Sequence, residues 1–520
     1  MSEQKTDSTF QLTRGTWLYL ILSLIGAFWT VYFYNSVPAY TDSYYHLNGA
    51  ISIASGEGFV DNYLWTFIGA PDSLPAPSHL YWMPGTSVIS SIGMVIFGTS
   101  YRAAQFGLAL CLWGAMILAY WLGWRMGGTS RHAWMAGLLT LFSGFFMDSW
   151  GQTDTFAPYA FFGAAALVFM AIGITSEKNN LRYWILAGAF SALGHLIRSD
   201  GLILVLVGWS VLIWFFNRER YLQRLAWILP FTIAYLLVMS PWFVRNLNEI
   251  GRVLPTGGTQ NAYFTDYDEI FAYPPDASLD NLLANGGEAL IETRSRALFT
   301  TNGIPFQAIA YEGAVVFFPF ILLGLWNRRK DPFIRPFWIF AVGIHLAFAL
   351  VFPDAGIRGG FWHGTAALVP IWAVIGLLGL DDFIVWVSTL RRTWNPKLAQ
   401  PILSTGMLLI VIALTLQISS RNVVDDNRID LALAETIEDG ARVMSFDPSR
   451  VYYYTGISGV VIPNETPEIA LEVANIYDID YLLLENNHIP QPMQFENVPN
   501  FLIPVDFEIE GARLYAFDRD

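Results

Sequence analysis

The sequence predicts a mainly α-helical membrane protein, in which a polytopic bundle of transmembrane helices is followed by a small α/β domain. Hydrophobic residues make up 54% of the 520 residues and charged residues only 14%, unlike a typical soluble globular protein. Apolar runs recur from Thr16 to Gln417, and a helix of about 20 such residues crosses a bilayer. Beyond Ile418 the composition becomes mixed and polar, as in a domain that folds in water.

The apolar runs and the charged breaks between them define about eleven transmembrane spans. The predicted spans are 16–35, 101–124, 132–148, 158–175, 183–197, 201–216, 225–243, 307–326, 336–352, 366–388 and 401–418. The run from Tyr81 to Gly98 is short and contains Pro84 and Gly85, which favours an interfacial or re-entrant helix. The residues before Thr16 lack a small-residue cleavage pattern, so we expect the first span to be retained.

The distribution of Lys and Arg residues predicts which loops face the cytoplasm. With 81–98 excluded as a crossing, the basic clusters all fall in alternate loops. These clusters are Arg125/Arg131, Lys178/Arg182, Arg218/Arg220/Arg224, Arg328/Arg329/Lys330/Arg335 and Arg391/Arg392/Lys397. The opposite loops, 35–99, 149–157, 245–305 and 353–365, then face outward. This topology predicts a cytoplasmic N-terminus and a cytoplasmic-membrane location.

The chain divides into a transmembrane catalytic domain, residues 1–420, and an extracytoplasmic α/β domain, residues 421–520. Within the transmembrane domain we expect interfacial helices in the first outer loop, 35–99, and a long outer loop at 245–305. Patterning in the C-terminal domain predicts strands at 443–446, 451–454, 460–462, 481–485 and 512–517 and a helix at 467–477.

Charge and cysteine content exclude several functional classes. The net charge of −14 argues against a nucleic-acid-binding protein, because such proteins present a basic face. Cys111 is the single cysteine, so the chain can form neither an internal disulfide nor a cysteine-based metal site.

The first two outward loops, 35–99 and the short 149–157, each carry a candidate carboxylate beside the membrane. The first begins Thr-Asp-Ser-Tyr-Tyr-His at residues 41–46 and continues as a surface helix, so Asp42 and His46 share one helix face. The second contains Asp154, four residues before Pro158. For both acids a structural role as the N-cap of the following helix remains an alternative to a functional role. Asp favours the N-cap position, and proline favours the first turn of a helix.

Further ionisable residues lie at the outer ends of predicted spans. They are His195, Arg198, Asp200, Arg245, Arg358 and His363. Charges at the membrane boundary are costly and often functional, although an arginine can also snorkel to the interface for structural reasons. His345, in the middle of a span, is expected to be a hydrogen-bonded structural residue.

The order of these motifs resembles the GT-C glycosyltransferases, which include protein O-mannosyltransferases, aminoarabinose transferases and oligosaccharyltransferases. The matching motifs are Thr41–His46, Thr153-Asp154, Arg198–Gly201, Pro241–Asn246 and a C-terminal outer domain. The Trp-Trp-Asp-Tyr-Gly signature of the oligosaccharyltransferases is absent from residues 421–520. The resemblance therefore implies transfer of one sugar from a polyprenyl-phosphate carrier to an acceptor hydroxyl of a protein, lipid or glycan.

The resemblance also implies roles for the candidate residues, with Asp42 as catalytic base and Asp154 as the group that orients the acceptor or binds a metal. The remaining candidates would bind substrate: Tyr45, His46, Arg198, Asp200, Arg245, Arg358 and His363. The three arginines suit a phosphate because guanidinium matches its geometry. Asp42, His46 and Asp154 offer ligand types that Mg²⁺ or Mn²⁺ accepts. Whether the protein uses a divalent cation as cofactor is therefore left open by the sequence.

Two other functional classes remain as alternatives. A secondary transporter or lipid flippase would carry inverted repeats and ionisable residues at the membrane midplane, whereas the ionisable residues here gather at the predicted outer boundary. A receptor or scaffold would leave the acidic first loop without a role.

Overall fold

The computed structural model describes residues 13–69, 71–176, 180–214, 221–255, 257–299, 316–391, 393–419 and 426–519. The chain is mostly helical. In chain order the α-helices are α1 Arg14–Tyr34, α2 Thr41–Ala54, α3 Gly85–Phe97, α4 Tyr101–Gly127, α5 Ser130–Leu141, α6 Phe156–Thr175, α7 Asn180–Ile197, α8 Leu202–Trp214, α9 Tyr221–Ile250, α10 Gly257–Gln260, α11 Leu279–Ala284, α12 Gly286–Phe299, α13 Phe318–Arg328, α14 Arg335–Leu346, α15 Pro353–Ala355, α16 Phe361–Thr365, α17 Val369–Leu390, α18 Pro396–Ile418, α19 Arg428–Thr436, α20 Pro448–Thr455 and α21 Pro467–Tyr477.

Within the described residues, seven helical stretches are long and apolar enough to cross a membrane. They are 14–34, 101–127, 156–175, 225–250, 332–351, 353–390 and 396–418. Shorter apolar helices cover 85–97, 181–197 and 199–213. The predicted fold class, a polytopic helical membrane protein, is confirmed.

The count of about eleven crossings and the interfacial placement of 81–98 remain predictions. The predicted span 307–326 lies partly outside the described residues, because 300–315 are not among them. Lys178, Arg218, Arg220 and Arg392 of the predicted basic clusters also lie outside the described residues, as does the boundary at 420/421.

Small residues let α3 pack in backbone contact with its neighbours. A Cβ atom added at Gly93 would lie 2.0 Å from the Ala103 carbonyl oxygen in α4, and one added at Gly85 would lie 2.6 Å from the Leu196 carbonyl oxygen in α7. Such close approach is the usual role of small residues between membrane helices. It fixes the start of α3 beside the end of α7, directly before Arg198.

A six-stranded sheet forms at the C-terminal end of the chain and includes one strand from the first loop. The strands are β1 Val60–Asp61, β2 Tyr63–Leu64, β3 Ala76–Pro77, β4 Val443–Ser445, β5 Gly459–Val461, β6 Tyr481–Glu485, β7 Leu502–Val505 and β8 Ala512–Phe517. The sheet order is β2-β5-β4-β6-β8-β7, whereas β1 pairs only with β3. Because β2 lies parallel to β5, the first loop and the C-terminal residues share one sheet.

The secondary structure predicted for the C-terminal residues is right for the helix α21 and for strands β4, β5, β6 and β8. The strand predicted at 451–454 is wrong, since these residues lie in α20. The three tyrosines there are typical strand residues. Asp447 caps the helix start, however, and Gly456 ends it in the left-handed conformation. The short strand β7 was not predicted.

Candidate active site

A cavity of about 390 Å³ lies where the start of α2 meets the end of α7 and the 347–363 segment. Five of the nine candidate residues from the sequence line it: Asp42, Arg198, Asp200, Arg358 and His363. Apolar side chains, among them Leu202, Leu206 and Phe348, form another part of the wall. The cavity therefore joins charged groups to an apolar surface.

Asp42, Asp154 and His363 form a compact cluster at this cavity. Each offers one ligand atom, and these atoms all lie within 4.8 Å of one another. His363 Nδ1 lies 3.6 Å from an Asp154 carboxylate oxygen. Asp154 is buried and accepts hydrogen bonds from the Tyr40 hydroxyl, at 2.8 Å, and from the Thr155 backbone N–H.

Neither carboxylate occupies an N-cap position. The N-cap of α2 is Tyr40 and that of α6 is Thr155. Asp42 lies within the first turn of α2, where a negative charge still interacts favourably with the helix dipole. The capping alternative therefore does not account for the position of either acid.

The two acids differ in their electrostatic environment. Burial and the nearby charge of Asp154 raise the pKa of Asp42 well above its usual value, and Arg198 only partly opposes this. Burial also raises the pKa of Asp154, but His363, His46 and the hydrogen bonds from Thr155 and Tyr40 outweigh it, so that this pKa is lowered. Asp154 thus keeps the negative charge, and Asp42 is the stronger base of the pair.

Arg198 lies in the turn between α7 and α8 and contacts the acidic cluster through Thr155. Its guanidinium donates to both carboxylate oxygens of Asp200, at 2.9 and 2.7 Å, and to Thr155 Oγ1 at 3.2 Å. Thr155 Oγ1 also lies 3.2 Å from His363 Nδ1. The charge of Arg198 is therefore partly balanced by Asp200, and the pair forms one wall of the site.

Arg358 is more accessible than Arg198. Its side chain is 58% exposed, lies 3.9 Å from an Asp268 carboxylate oxygen and stands 4.9 Å from the centre of the Tyr267 ring. The next residue, Gly359, has a φ of 132°, a conformation that side chains disfavour. Arg358 thus presents a largely exposed positive charge at the cavity, with the Asp268 carboxylate 3.9 Å away.

Arg245 and Tyr45 stabilise the first loop and do not line the cavity. The Arg245 guanidinium donates to the carbonyl oxygens of Ser78, at 2.9 Å, and Phe59, at 3.3 Å. The Tyr45 hydroxyl donates to Asp61 at 2.8 Å and accepts from the His79 backbone N–H at 2.6 Å. Both side chains are already engaged by the protein.

His46 lies one helical turn behind Asp42 and is buried. Its Nδ1 is 3.1 Å from Ser87 Oγ, which is in turn 3.0 Å from His79 Nε2. Burial lowers the pKa of His46 to about 4, so the ring is neutral at pH 7. His363, rather than His46, completes the cluster with the two acids.

Tyr40 and Thr155 are site residues that sequence reasoning missed. Each directly precedes or follows a recognised motif, Tyr40 before Thr41-Asp42 and Thr155 after Asp154. Position next to a candidate acid was the available indication.

Comparisons with known proteins agree with this fold. Residues 82–244 match the family model for dolichyl-phosphate-mannose-protein mannosyltransferases. The structure is similar to the oligosaccharyltransferase AglB of Archaeoglobus fulgidus, with a TM-score of 0.61 and 14% identity over 91% of this chain and 69% of that chain. It is also similar to ArnT of Cupriavidus metallidurans, with a TM-score of 0.59 and 13% identity over 97% of this chain and 98% of that chain. No curated protein sequence matches the chain significantly. The chain therefore has the fold of the GT-C glycosyltransferases, and the resemblance indicated by its motifs is confirmed.

Proposed function

We propose that this chain is a membrane glycosyltransferase that moves a sugar from a polyprenyl-phosphate carrier to an acceptor hydroxyl on the outer face of the membrane. The observation that carries the proposal is the cavity, which brings a carboxylate pair and two arginines together with an apolar wall. The family match supports the same activity. The AglB structure contains a dolichol-phosphate and the ArnT structure undecaprenyl phosphate, which supports a carrier of this class.

The cavity has the mixed surface that an amphipathic donor requires. Leu202, Leu206 and Phe348 offer apolar contact to the first part of a polyprenyl chain, and Arg198 and Arg358 line the same cavity. A guanidinium binds phosphate oxygens in two-pronged fashion. The geometry favours Arg358 and Arg198 over Arg245 for the phosphate, because Arg198 and Arg358 line the cavity and Arg245 does not.

In the proposed reaction the acceptor oxygen attacks the anomeric carbon of the sugar. The new carbon–oxygen bond forms as the bond to the carrier phosphate breaks, and the phosphate keeps the electron pair and stays on the lipid. Asp42 takes the proton of the acceptor hydroxyl, which its raised pKa favours. Attack from the face opposite the phosphate inverts the anomeric centre.

The cluster also fits a divalent cation. Two carboxylates and one imidazole within 4.8 Å of one another suit Mn²⁺, and the carboxylates suit Mg²⁺. Asp42, Asp154 and His363 would hold the ion, in place of the set with His46 that the sequence suggested. When bound, such an ion would neutralise charge on the phosphate.

Mn²⁺ binding should depend on His363 and not on His46. We expect His363→Gln to weaken Mn²⁺ binding by about tenfold or more, the scale seen when a supporting metal contact is lost, because it removes a ligand nitrogen. His46→Gln is the matched control and should leave binding unchanged. Electron paramagnetic resonance of free Mn²⁺ measures both. Equal loss in the two variants would instead favour the cluster containing His46.

The proposed topology predicts which exposed positions react with an impermeant thiol reagent. Cys111 is buried, so an introduced cysteine is the main target. In intact cells Asp439→Cys should react without permeabilisation, because the C-terminal domain is proposed to lie outside. Lys330→Cys, in a predicted cytoplasmic loop, should react only after permeabilisation. The reverse pattern would contradict the proposed placement of the site.

A donor screen in proteoliposomes tests the proposed function against transport. The purified protein is incubated with a panel of radiolabelled polyprenyl-phosphate sugars. Appearance of the labelled sugar on an acceptor or in water, dependent on the protein, supports the transferase. Movement of intact donor between leaflets without cleavage would support the flippase instead.

A further inference from the structure

The helix that carries Asp42 is held along its length by the C-terminal residues. Thr41 Oγ1 donates to Asp447 Oδ2 at 2.8 Å. About two helical turns further along α2, Asn48 Nδ2 donates to the Ser449 carbonyl oxygen at 2.8 Å. The hydroxyls of Tyr44 and Tyr454 lie 3.3 Å apart. Helices α2 and α20 are therefore joined by polar contacts that begin at the residue before Asp42.

The same two parts of the chain are also joined through the sheet. Strand β2 of the first loop pairs with β5, and Asn62 Nδ2 donates to the Tyr452 hydroxyl at 2.8 Å. Leu64 and Phe67 of the loop pack in one hydrophobic core with Val460 and Leu482. The C-terminal residues thus form a stable support against which α2 can be fixed.

Asp447 is suited to fix the start of α2 because its own carboxylate is immobilised. The residue is 5% exposed. Its Oδ1 accepts from Ser449 Oγ and from the Arg450 backbone N–H, which makes Asp447 the N-cap of α20. Its Oδ2 accepts from Thr41. A hydrogen bond to a charged acceptor is stronger than one between neutral groups.

The first turn of α2 is anchored on two sides. On one side Ser43 Oγ donates to Gln152 Oε1 at 2.9 Å and the Ser43 carbonyl oxygen accepts from Thr153 Oγ1 at 2.7 Å, and on the other side Thr41 contacts Asp447. The N-cap residue of α2, Tyr40, makes no side-chain cap hydrogen bond, and the Tyr40 hydroxyl donates to Asp154 instead. Thr41, the first residue of the helix, is bonded to Asp447. Asp42 therefore lies between two anchored neighbours, Thr41 and Ser43, and the Thr41 contact is the one that the C-terminal residues supply.

We propose that Asp447 is a positioning residue for the transfer reaction: through Thr41 it holds the first turn of α2 so that the Asp42 carboxylate stays at the cavity beside Asp154. The inference rests on the proposed function, since it assigns Asp42 to the reaction. A small misplacement of a reacting group slows chemistry far more than it weakens substrate binding. The contact should therefore affect kcat and leave the donor KM nearly unchanged.

Two substitutions break the contact without removing a helix cap. Thr41→Val keeps the side-chain shape and loses the hydroxyl. Asp447→Ser keeps a good N-cap for α20 but is too short to reach Thr41. We expect each to lower kcat about tenfold, the scale of one lost charge-assisted hydrogen bond. The double variant should be no slower than the slower single variant, because both remove the same interaction.

Conservative and matched variants separate positioning from general stability. Thr41→Ser keeps the hydroxyl, and Asp447→Asn keeps both the cap and a hydrogen-bonding partner for Thr41, so both should recover most of the lost kcat. Tyr452→Phe removes a hydrogen bond of equal length from the same interface, at a point away from Asp42. It should match the parent in kcat and KM.

Amide hydrogen exchange over residues 40–46 gives a measurement that does not depend on activity. Exchange should be faster in Thr41→Val and Asp447→Ser than in the parent and unchanged in Tyr452→Phe. If the parent itself transfers no sugar, the proposed function fails, and exchange alone then decides whether Asp447 fixes the helix. If the parent is active and both variants match it in kcat, or if their losses multiply in the double variant, the positioning role of Asp447 is overturned.

Discussion

Asp42→Asn is expected to lower the rate of sugar transfer by about 10²- to 10⁴-fold, the range typical for loss of a general base. The amide has nearly the shape of the carboxylate but cannot take up the acceptor proton. Because the N-cap of α2 is Tyr40 and not Asp42, the substitution removes no cap, so melting temperature and donor binding should stay close to those of the parent.

A carboxylate at the other end of the same helix provides the control. Glu57 follows α2 and is exposed, and Glu57→Gln should leave the transfer rate within about twofold, as for most surface substitutions. Asp42→Asn activity within a few-fold of the parent would remove Asp42 from the role of base and leave Asp154 as the next candidate.

The pH dependence of transfer gives a second view of the same residue. With divalent cations removed, the pKa of Asp42 is raised, so the deprotonated base is lost at a pH above the ordinary carboxylate range of about 4, and kcat/KM should fall on the acid side from that higher pH. Asp154→Asn removes the nearby negative charge, so in whatever activity remains the acid limb should move to lower pH. An unmoved limb would show that another group controls it.

Arg358→Ala is expected to lower transfer by about 10²- to 10³-fold, the effect of removing one preorganised donor to a developing charge. The charge on the carrier phosphate increases as its bond to the sugar breaks, so kcat should fall together with donor affinity. Arg358→Lys keeps the charge but not the planar fork and should recover part of the loss.

Arg296 is a matched control for Arg358. Its side chain is 46% exposed and lies 3.8 Å from an Asp354 carboxylate oxygen, much as Arg358 lies beside Asp268. Arg296 does not line the cavity, so Arg296→Ala should leave donor affinity and kcat near those of the parent. Equal losses in the two variants would indicate a general effect of surface charge and contradict a phosphate role for Arg358.

The transmembrane helices could be predicted from the sequence, because length and apolar composition are almost sufficient to identify a transmembrane helix. Helices 101–127, 156–175 and 396–418 lie where their apolar runs predicted. The motif beginning at Thr41 likewise predicted a helix with Asp42 at its start, and α2 begins there, with Asp42 in its first turn.

Features that depend on contacts between distant parts of the chain could not be predicted from the sequence. Strand β2 has only two residues and forms because β5, far along the sequence, offers an edge. Helical spacing correctly put Asp42 and His46 on one face, but it could not indicate that His363 approaches from another segment. Residues 452–454 are all tyrosine, and their strand preference yielded to the helix cap at Asp447 and the glycine at 456.

The most direct test of the proposed sugar transfer is to follow the two parts of the donor after the bond between sugar and phosphate is broken. A donor carrying ³²P in its phosphate and ³H in its sugar is incubated with the parent protein and with Asp42→Asn. We predict that with the parent the ³H passes to an acceptor while the ³²P stays in the lipid fraction, and that Asp42→Asn, although it binds the donor, leaves both labels in the lipid. Labels that remain together with the parent for every donor in the panel would contradict the proposed transfer.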